Sequence, residues 1–419
     1  MERVICTNKK HKYLMKKINS LFVALSLIGS SFMFTACGDD TDEGNGGSTT
    51  TSNEVIVSEN ITANTTWSKD KTYILAGRIS VVTGVTLTIE PGTIIKGQAG
   101  TGANATALIV ARGGKLMAEG TATEPIIFTS VADEIKSGEI ESPNLPADFN
   151  GLWGGLIVLG DAPCSLEGDV TELSIEGIPP TDANGLYGGT NAEDNSGVIK
   201  YVSVRHGGAN IGEGNEINGI TFGGVGSGTT VENVEVVANQ DDGIEWFGGT
   251  VNVKNAIVWN AGDDAVDTDQ AWAGTLDNFI IICGDETDHA LEIDGPEGSM
   301  NAGHTVTNGW VKGHAASELG DFRKNAQGAF SKIYFFNFDG GMADGRGDMS
   351  LSSGSDVTFG DGSLTFADLE ITTDSTDLTK IFKGGTDAHA SSVAAAINAG
   401  ADVAPFAGWS WAAKEEAYK

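Results

Sequence analysis

Basic side chains are scarce in this chain: 25 Lys and Arg stand against 57 Asp and Glu over 419 residues, a formal charge of −32. Such a surface repels nucleic acid and anionic lipid and draws in divalent cations, so nucleic acid is excluded as a partner. Helical periodicity is also missing until Ser391–Ala399, which reads as a short helical cap near the C-terminus. That excludes a helical bundle. Of four cysteines, Cys6 and Cys37 fall in the N-terminal leader; Cys164 and Cys283 lack metal-ligand spacing, and whether they pair is not deducible. No apolar run after Cys37 is long enough to span a bilayer. No Ser-His-Asp, Cys-His or phosphate-loop arrangement stands out. What is plentiful is glycine, 58 residues, which suits a turn-rich β protein.

Residues 1–36 read as a signal peptide: Lys16-Lys17, the apolar run Leu21–Ile28, then Phe34-Thr35-Ala36-Cys37, with translation starting at Met15. A small residue directly before Cys resembles the bacterial lipoprotein cleavage box, which makes Cys37 the lipidated first residue. Phe34 departs from the usual Leu or Val of that box. Gly38-Asp39-Asp40-Thr41-Asp42-Glu43 resembles the acidic export signal of Bacteroidetes surface lipoproteins. Residues 37–53 are too polar to fold and read as a tether, and residues 54–419 as the folded body. The expected address is the outer membrane, lipid-anchored and exposed at the cell surface, with the anchor as the sole membrane contact.

Residues 55–130 carry short β segments broken by Gly, such as Thr86–Ile89 and Thr93-Ile94-Ile95, joined by a Pro91-Gly92 turn. The polar stretch 131–150 reads as an inserted loop. Further on, the chain repeats with a period of 22 to 23 residues, marked by Asn233, Asn255 and Asn278. Such a period signals a solenoid, each repeat forming one stacked coil. Asn218-Gly-Ile-Thr-Phe222, Asp242-Gly-Ile-Glu-Trp246, Asp264-Ala-Val-Asp-Thr268 and His289-Ala-Leu-Glu-Ile293 then superpose, placing Ile220, Ile244, Val266 and Leu291 in one inward slot. A leucine-rich repeat matches only one copy, since Ala261 and Gly284 stand where its ladder Asn belongs. Two apolar segments per coil with no helical half favour an all-β parallel β-helix. Trp409 and Trp411 are expected to cover its last coil.

The strings Gly214–Gly226, Asp241–Asn252 and Gly262–Asp269 resemble signatures of a bacterial, Bacteroidetes-type family of pectin-lyase-like β-helix proteins, many of them lipoproteins or secreted. The resemblance covers roughly Thr72 to Trp411. It implies a right-handed β-helix and no particular reaction.

Stacking turns the repeated acids into columns: Asp242 over Asp264, and Glu245 over Asp267 over Glu292. Coils lie about 4.8 Å apart, where two carboxylates repel by about 1 kcal/mol in water and by several times more where solvent is scarce. A bound cation relieves this, so Asp242, Glu245, Asp263, Asp264, Asp267 and Asp269 are candidate Ca²⁺ ligands. The plain alternative is Asp and Asn capping backbone N–H groups at the turns. A catalytic reading also stands, as a glycoside hydrolase or polysaccharide lyase. Polygalacturonases place an Asp, an Asp pair, a His and a basic clamp on successive coils; Asp242, Asp263, Asp264, His289 and Arg323-Lys324 follow that order, without the Gly-His-Gly and Arg-Ile-Lys wording. Trp246, Trp272 and Arg323 are the candidates for holding a glycan. The leading expectation is a non-enzymatic scaffold that binds glycan or a surface protein, stabilised by Ca²⁺. An open cleft lined by the acids and a Trp favours the enzyme; acids buried beneath loops 269–275 and 294–303 favour a structural ion.

Overall fold

The computed structural model describes residues 53–212, 216–339 and 347–419. The leader, Cys37 and nearly all of the acidic tether lie outside the described residues. Among the described residues two large sheets run the length of the molecule, and every strand pairing within them is parallel. One sheet has nine strands, from Arg78–Val81 through Ile220–Gly223, Ile244–Phe247, Val266–Asp269, Leu291–Asp294 and Gly320–Arg323 to Met349–Leu351. The other stacks long strands, including Thr230–Asn239, Asn252–Ala261 and Thr275–Ile282. The fold is a right-handed parallel β-helix.

The recurring Asn bends each long strand. Tyr201, Asn233, Asn255, Asn278, Asn308 and Lys332 occupy one column with φ of 51–61°. Asn tolerates this left-handed conformation better than most L-residues. Its amide also bonds between coils: Asn255 Nδ2 donates to Asn233 Oδ1 at 3.0 Å, and Asn278 Nδ2 to Asn255 Oδ1 at 2.7 Å. The Pro91-Gly92 turn is present, with Gly92 at φ +79°, where an L side chain is strained.

Ile220, Ile244, Val266 and Leu291 are hydrogen-bonded neighbours in register and fill one inward slot. Aromatic rings stack beside them along the axis: Trp246 on Trp272 at 4.7 Å, Trp272 on His304 at 4.8 Å, and His304 against Phe330 at 5.4 Å. Each buried aromatic removes 150–250 Å² from water, stabilising the coil by up to about 4–6 kcal/mol.

Two expectations about the C-terminus are corrected. Residues 391–399 contain no helix; Ala390–Ser392 is a strand beside Leu369–Thr372, and the Glu370 carboxylate accepts the Ile397 and Asn398 N–H groups. Pairing with the last coil overrides the helix propensity of a run too short to nucleate alone. A short helix near the C-terminus is present instead at Trp411–Lys414, and among the described residues a second α-helix spans Ser355–Asp361. Trp409 and Trp411 do not cover the last coil either. Trp409 packs on Ile257, Ile280 and Ile282, while Trp411 packs on Val237 and Ala238 and meets Trp259 and His206 edge-on. Those outward apolar side chains on the middle coils would otherwise face water. The stretch 131–150 is an irregular loop, organised by Asp133 through bonds from Thr129, Ile135 and Ser142. Cys164 and Cys283 are free thiols.

Candidate functional site

The site lies on the outer face of the nine-stranded sheet. Side chains alternate along a strand, so with Ile244 and Trp246 inward, Glu245 and Phe247 point out. Register then aligns Thr221, Glu245, Asp267, Glu292 and Asp321 in one outward column. Phe247, Asp269, beside Asp294, and Arg323 continue a second. At the turn entering each strand, Asn218, Asp242, Asp264 and His289 form a third; the Gly219, Gly243 and Ala265 N–H groups donate to the Asp242, Asp264 and His289 carbonyls.

These acids are not open to solvent: Asp242, Glu245, Asp264, Asp267 and Glu292 are each 4–7% exposed. The cover differs in part from loops 269–275 and 294–303. Leu166, Ile175, Ile178 and Tyr187, from the stretch between Cys164 and Tyr187, pack on outward Ile157, Leu159, Ile217 and Phe247. The Tyr187 hydroxyl donates to Gln270 Oε1 at 2.9 Å, and Ser299 N–H donates to Asp169 Oδ1 at 2.6 Å. Gln270 and the loop around Ser299 thus join this cover.

The structure sorts the expected ligands into groups. Asp242, Glu245 and Asp267 bring carboxylate oxygens within 4.8 Å of one another; so do Asp264 and Glu292 with His289, and Asp241, Asp242 and Asp263 at the turn surface. Asp269 stands apart, beside Asp294. Asp242 Oδ1 accepts the Asp264 N–H at 2.9 Å and Asp264 Oδ1 accepts the His289 N–H at 2.8 Å. One oxygen of each therefore does cap a turn, as the plain alternative requires. Asp267 caps nothing, and its buried Oδ1 has no hydrogen-bond partner.

The electrostatics follow from burial. Desolvation first, then the neighbouring carboxylates, hold Asp242, Glu245 and Asp267 well above the ordinary carboxylate range. The same causes push Asp241 and Asp269 up to about 7 and Asp263 to about 6. For His289 burial works downward, but the Asp264 hydrogen bond and surrounding carboxylates outweigh it and raise the imidazole to about 9. His289 is therefore a resident cation, 2.8 Å from Asp264, 3.4 Å from Glu292 and 3.7 Å from Glu318.

A known domain family, the pectate-lyase like beta helix domain, matches residues 59–413. The chain belongs to that family. No curated protein and no solved structure matches it.

In this pectate-lyase-like β-helix the three residues expected to hold a glycan have other roles. Trp246 and Trp272, 0% and 1% exposed, stack on each other in the core: Trp246 stands two residues from inward Ile244, and Trp272 follows the Gln270-Ala271 turn and donates Nε1 to the Val251 carbonyl at 3.0 Å, so neither offers a face to a sugar. Arg323 binds Glu292 and Asp294, the latter through Nε at 2.6 Å, and so acts as a counter-ion. As for the catalytic candidates, Asp263 is exposed while Asp242 and Asp264 are buried, and His289 is held by Asp264. Asn218, Asp294 and Glu318 join the site without having stood out in the sequence. Asn218 had a signal, since it opens the first of the superposed strings one coil before Asp242.

Proposed function

We propose that this carbohydrate-related β-helix is a non-enzymatic scaffold that binds glycan or a surface protein, anchored through Cys37 at the outer membrane and stabilised by Ca²⁺ at Asp242, Glu245 and Asp267. One observation carries the reading. Three carboxylates, each more than nine-tenths buried, crowd together with no basic side chain in ion-pair range among the described residues, and Asp267 Oδ1 lacks any partner. All available donors are oxygens, which suits a hard cation such as Ca²⁺. Burial beneath the cover supports a structural ion over an open catalytic cleft. Among the described residues nothing exposed beside the acids resembles a sugar-stacking platform, so glycan or protein contact falls to other faces of the helix.

The second reading, a glycoside hydrolase, is favoured by one observation: Asp241 and Asp263, at the turn surface, titrate at about 7 and about 6, in the range of a general acid. Reducing-end release from a polysaccharide panel separates the two. The scaffold reading expects no release by the native protein, with Ca²⁺ raising its melting temperature. Release that is lost in Asp263→Asn would replace the scaffold by the enzyme.

A further inference from the structure

Resting on the cation reading above, the geometry points to Asn218 as a fourth protein ligand, one that closes the site from the preceding coil. We infer that its amide oxygen coordinates the ion held by Asp242, Glu245 and Asp267. Asn218 is 2% exposed, and its two amide atoms have different fates. Nδ2 donates to Glu245 Oε2 and to Thr221 Oγ1, the latter at 3.4 Å, which places the amide against the Glu245 member of the trio. Oδ1 is buried and has no hydrogen-bond partner. A buried amide oxygen left unpaired costs free energy comparable to a lost hydrogen bond. A cation beside Glu245 removes that cost, and the same ion serves the unpartnered Asp267 Oδ1.

Register explains why this residue and not another is available. Asn218 precedes Asp242 in the turn column, as Asp242 precedes Asp264. Asp242 and Asp264 each use an oxygen to cap the next coil, whereas the Asn218 side chain reaches across to the outward column and Glu245. Beside it lies a cavity of about 10 Å³, lined by Ile157, Ile175, Glu176, Glu216, Ile217, Asn218 and Thr221. That volume is near the minimum for a single water. The space admits one water beside Asn218 and excludes a sugar. With one amide and three carboxylates the site carries three formal negative charges, which matches a divalent ion more closely than four carboxylates would.

The test uses terbium(III) as a luminescent probe, sensitised by Trp246 next to Glu245, together with Ca²⁺ titration of the chelator-stripped protein. Decay rates in light and heavy water count the waters on the bound terbium. Asn218→Ala is expected to add one bound water and weaken Ca²⁺ binding ~10-fold. Asn218→Asp is expected to leave the water count unchanged and shift preference toward terbium over Ca²⁺. A role confined to folding would alter neither count nor preference. Unchanged hydration and affinity in Asn218→Ala, while the native protein binds, would overturn the assignment of Asn218 and leave the trio standing. Should Asn218→Ala not fold, Asn218→Asp decides: an unshifted preference or an added water overturns the assignment. Absence of binding by the native protein would remove the site itself.

Discussion

Downstream on the acidic face, Glu292 and Asp294 meet Arg323 and Lys324, and Asp264 meets His289. Upstream, Asp242, Glu245 and Asp267 meet one another and the Asn218 amide, with no basic side chain in range among the described residues. Both halves stand on the same sheet, and these six acids are buried to a similar degree. The difference is internal cations, which the downstream coils supply from their own sequence. Like charges sharing a buried site need a partner, a proton or water. On the proposed reading, the upstream half, roofed and without an internal cation, is the half that takes an ion from outside.

The largest expected effect breaks the contrast from the downstream side. Arg323→Ala strips Glu292 and Asp294 of their shared counter-ion, and unpairing buried charge costs about 3 kcal/mol, the low end because the guanidinium is partly exposed. Urea unfolding in chelator measures this loss. Lys324 still pairs with Asp294 and His289 with Glu292 in that variant, so the count of bound Ca²⁺ is expected to stay at one per chain.

Asp267→Asn acts in the opposite direction. In chelator at pH 8 it relieves the crowded trio and is expected to stabilise the chain by about 1–2 kcal/mol, while Ca²⁺ no longer raises the melting temperature. Equal melting of native and variant proteins in chelator would count against crowding.

How far does the sequence alone reach into this contrast? The columns are legible because a β-helix has one register, and equal spacing of Asn233, Asn255 and Asn278 sets it. The inward slot of Ile220, Ile244, Val266 and Leu291 follows from the same spacing. Trp246 stands two residues from Ile244, so its inward direction follows from the same alternation, whereas Trp272 misleads because it follows the Gln270-Ala271 turn, where alternation does not run. The roof is not legible at all: Leu166, Ile175 and Tyr187 lie far along the chain from the acids they help to cover, and no periodicity links them. Arg323 and Lys324 look like a substrate clamp because sequence does not reveal that Asp294 stands one coil away.

A pH scan sharpens the contrast further. Asp241 and Asp269 titrate near 7 when folded against an ordinary 3.8, so the folded chain holds protons that the unfolded chain has released. Their contribution is fully present below about 3.8 and is lost as pH rises through 7. His304 opposes this: burial pushes it down to about 4, so its contribution is lost as pH falls from 6.5. Above about pH 7.5 His304 is neutral in both states, and between 6.5 and 7.5 its opposing contribution only partly offsets theirs. In chelator the melting temperature is therefore expected to fall by a few degrees from about pH 6.5 to 8, and Ca²⁺ is expected to reduce the fall. The smallest effect belongs to Lys324→Ala. Its side chain is 53% exposed, so its pair with Asp294 is worth under about 1 kcal/mol. A loss as large as that of Arg323→Ala would show that the downstream charges work as one network.

The most direct test of the unpaired upstream trio is calorimetric titration of Ca²⁺ into chelator-stripped protein, beside Asp242→Asn/Asp267→Asn and Lys324→Ala. One ion per chain is expected, lost in the double variant and retained in Lys324→Ala. No binding by the native protein, or binding untouched by the double variant, would contradict the trio as a cation site.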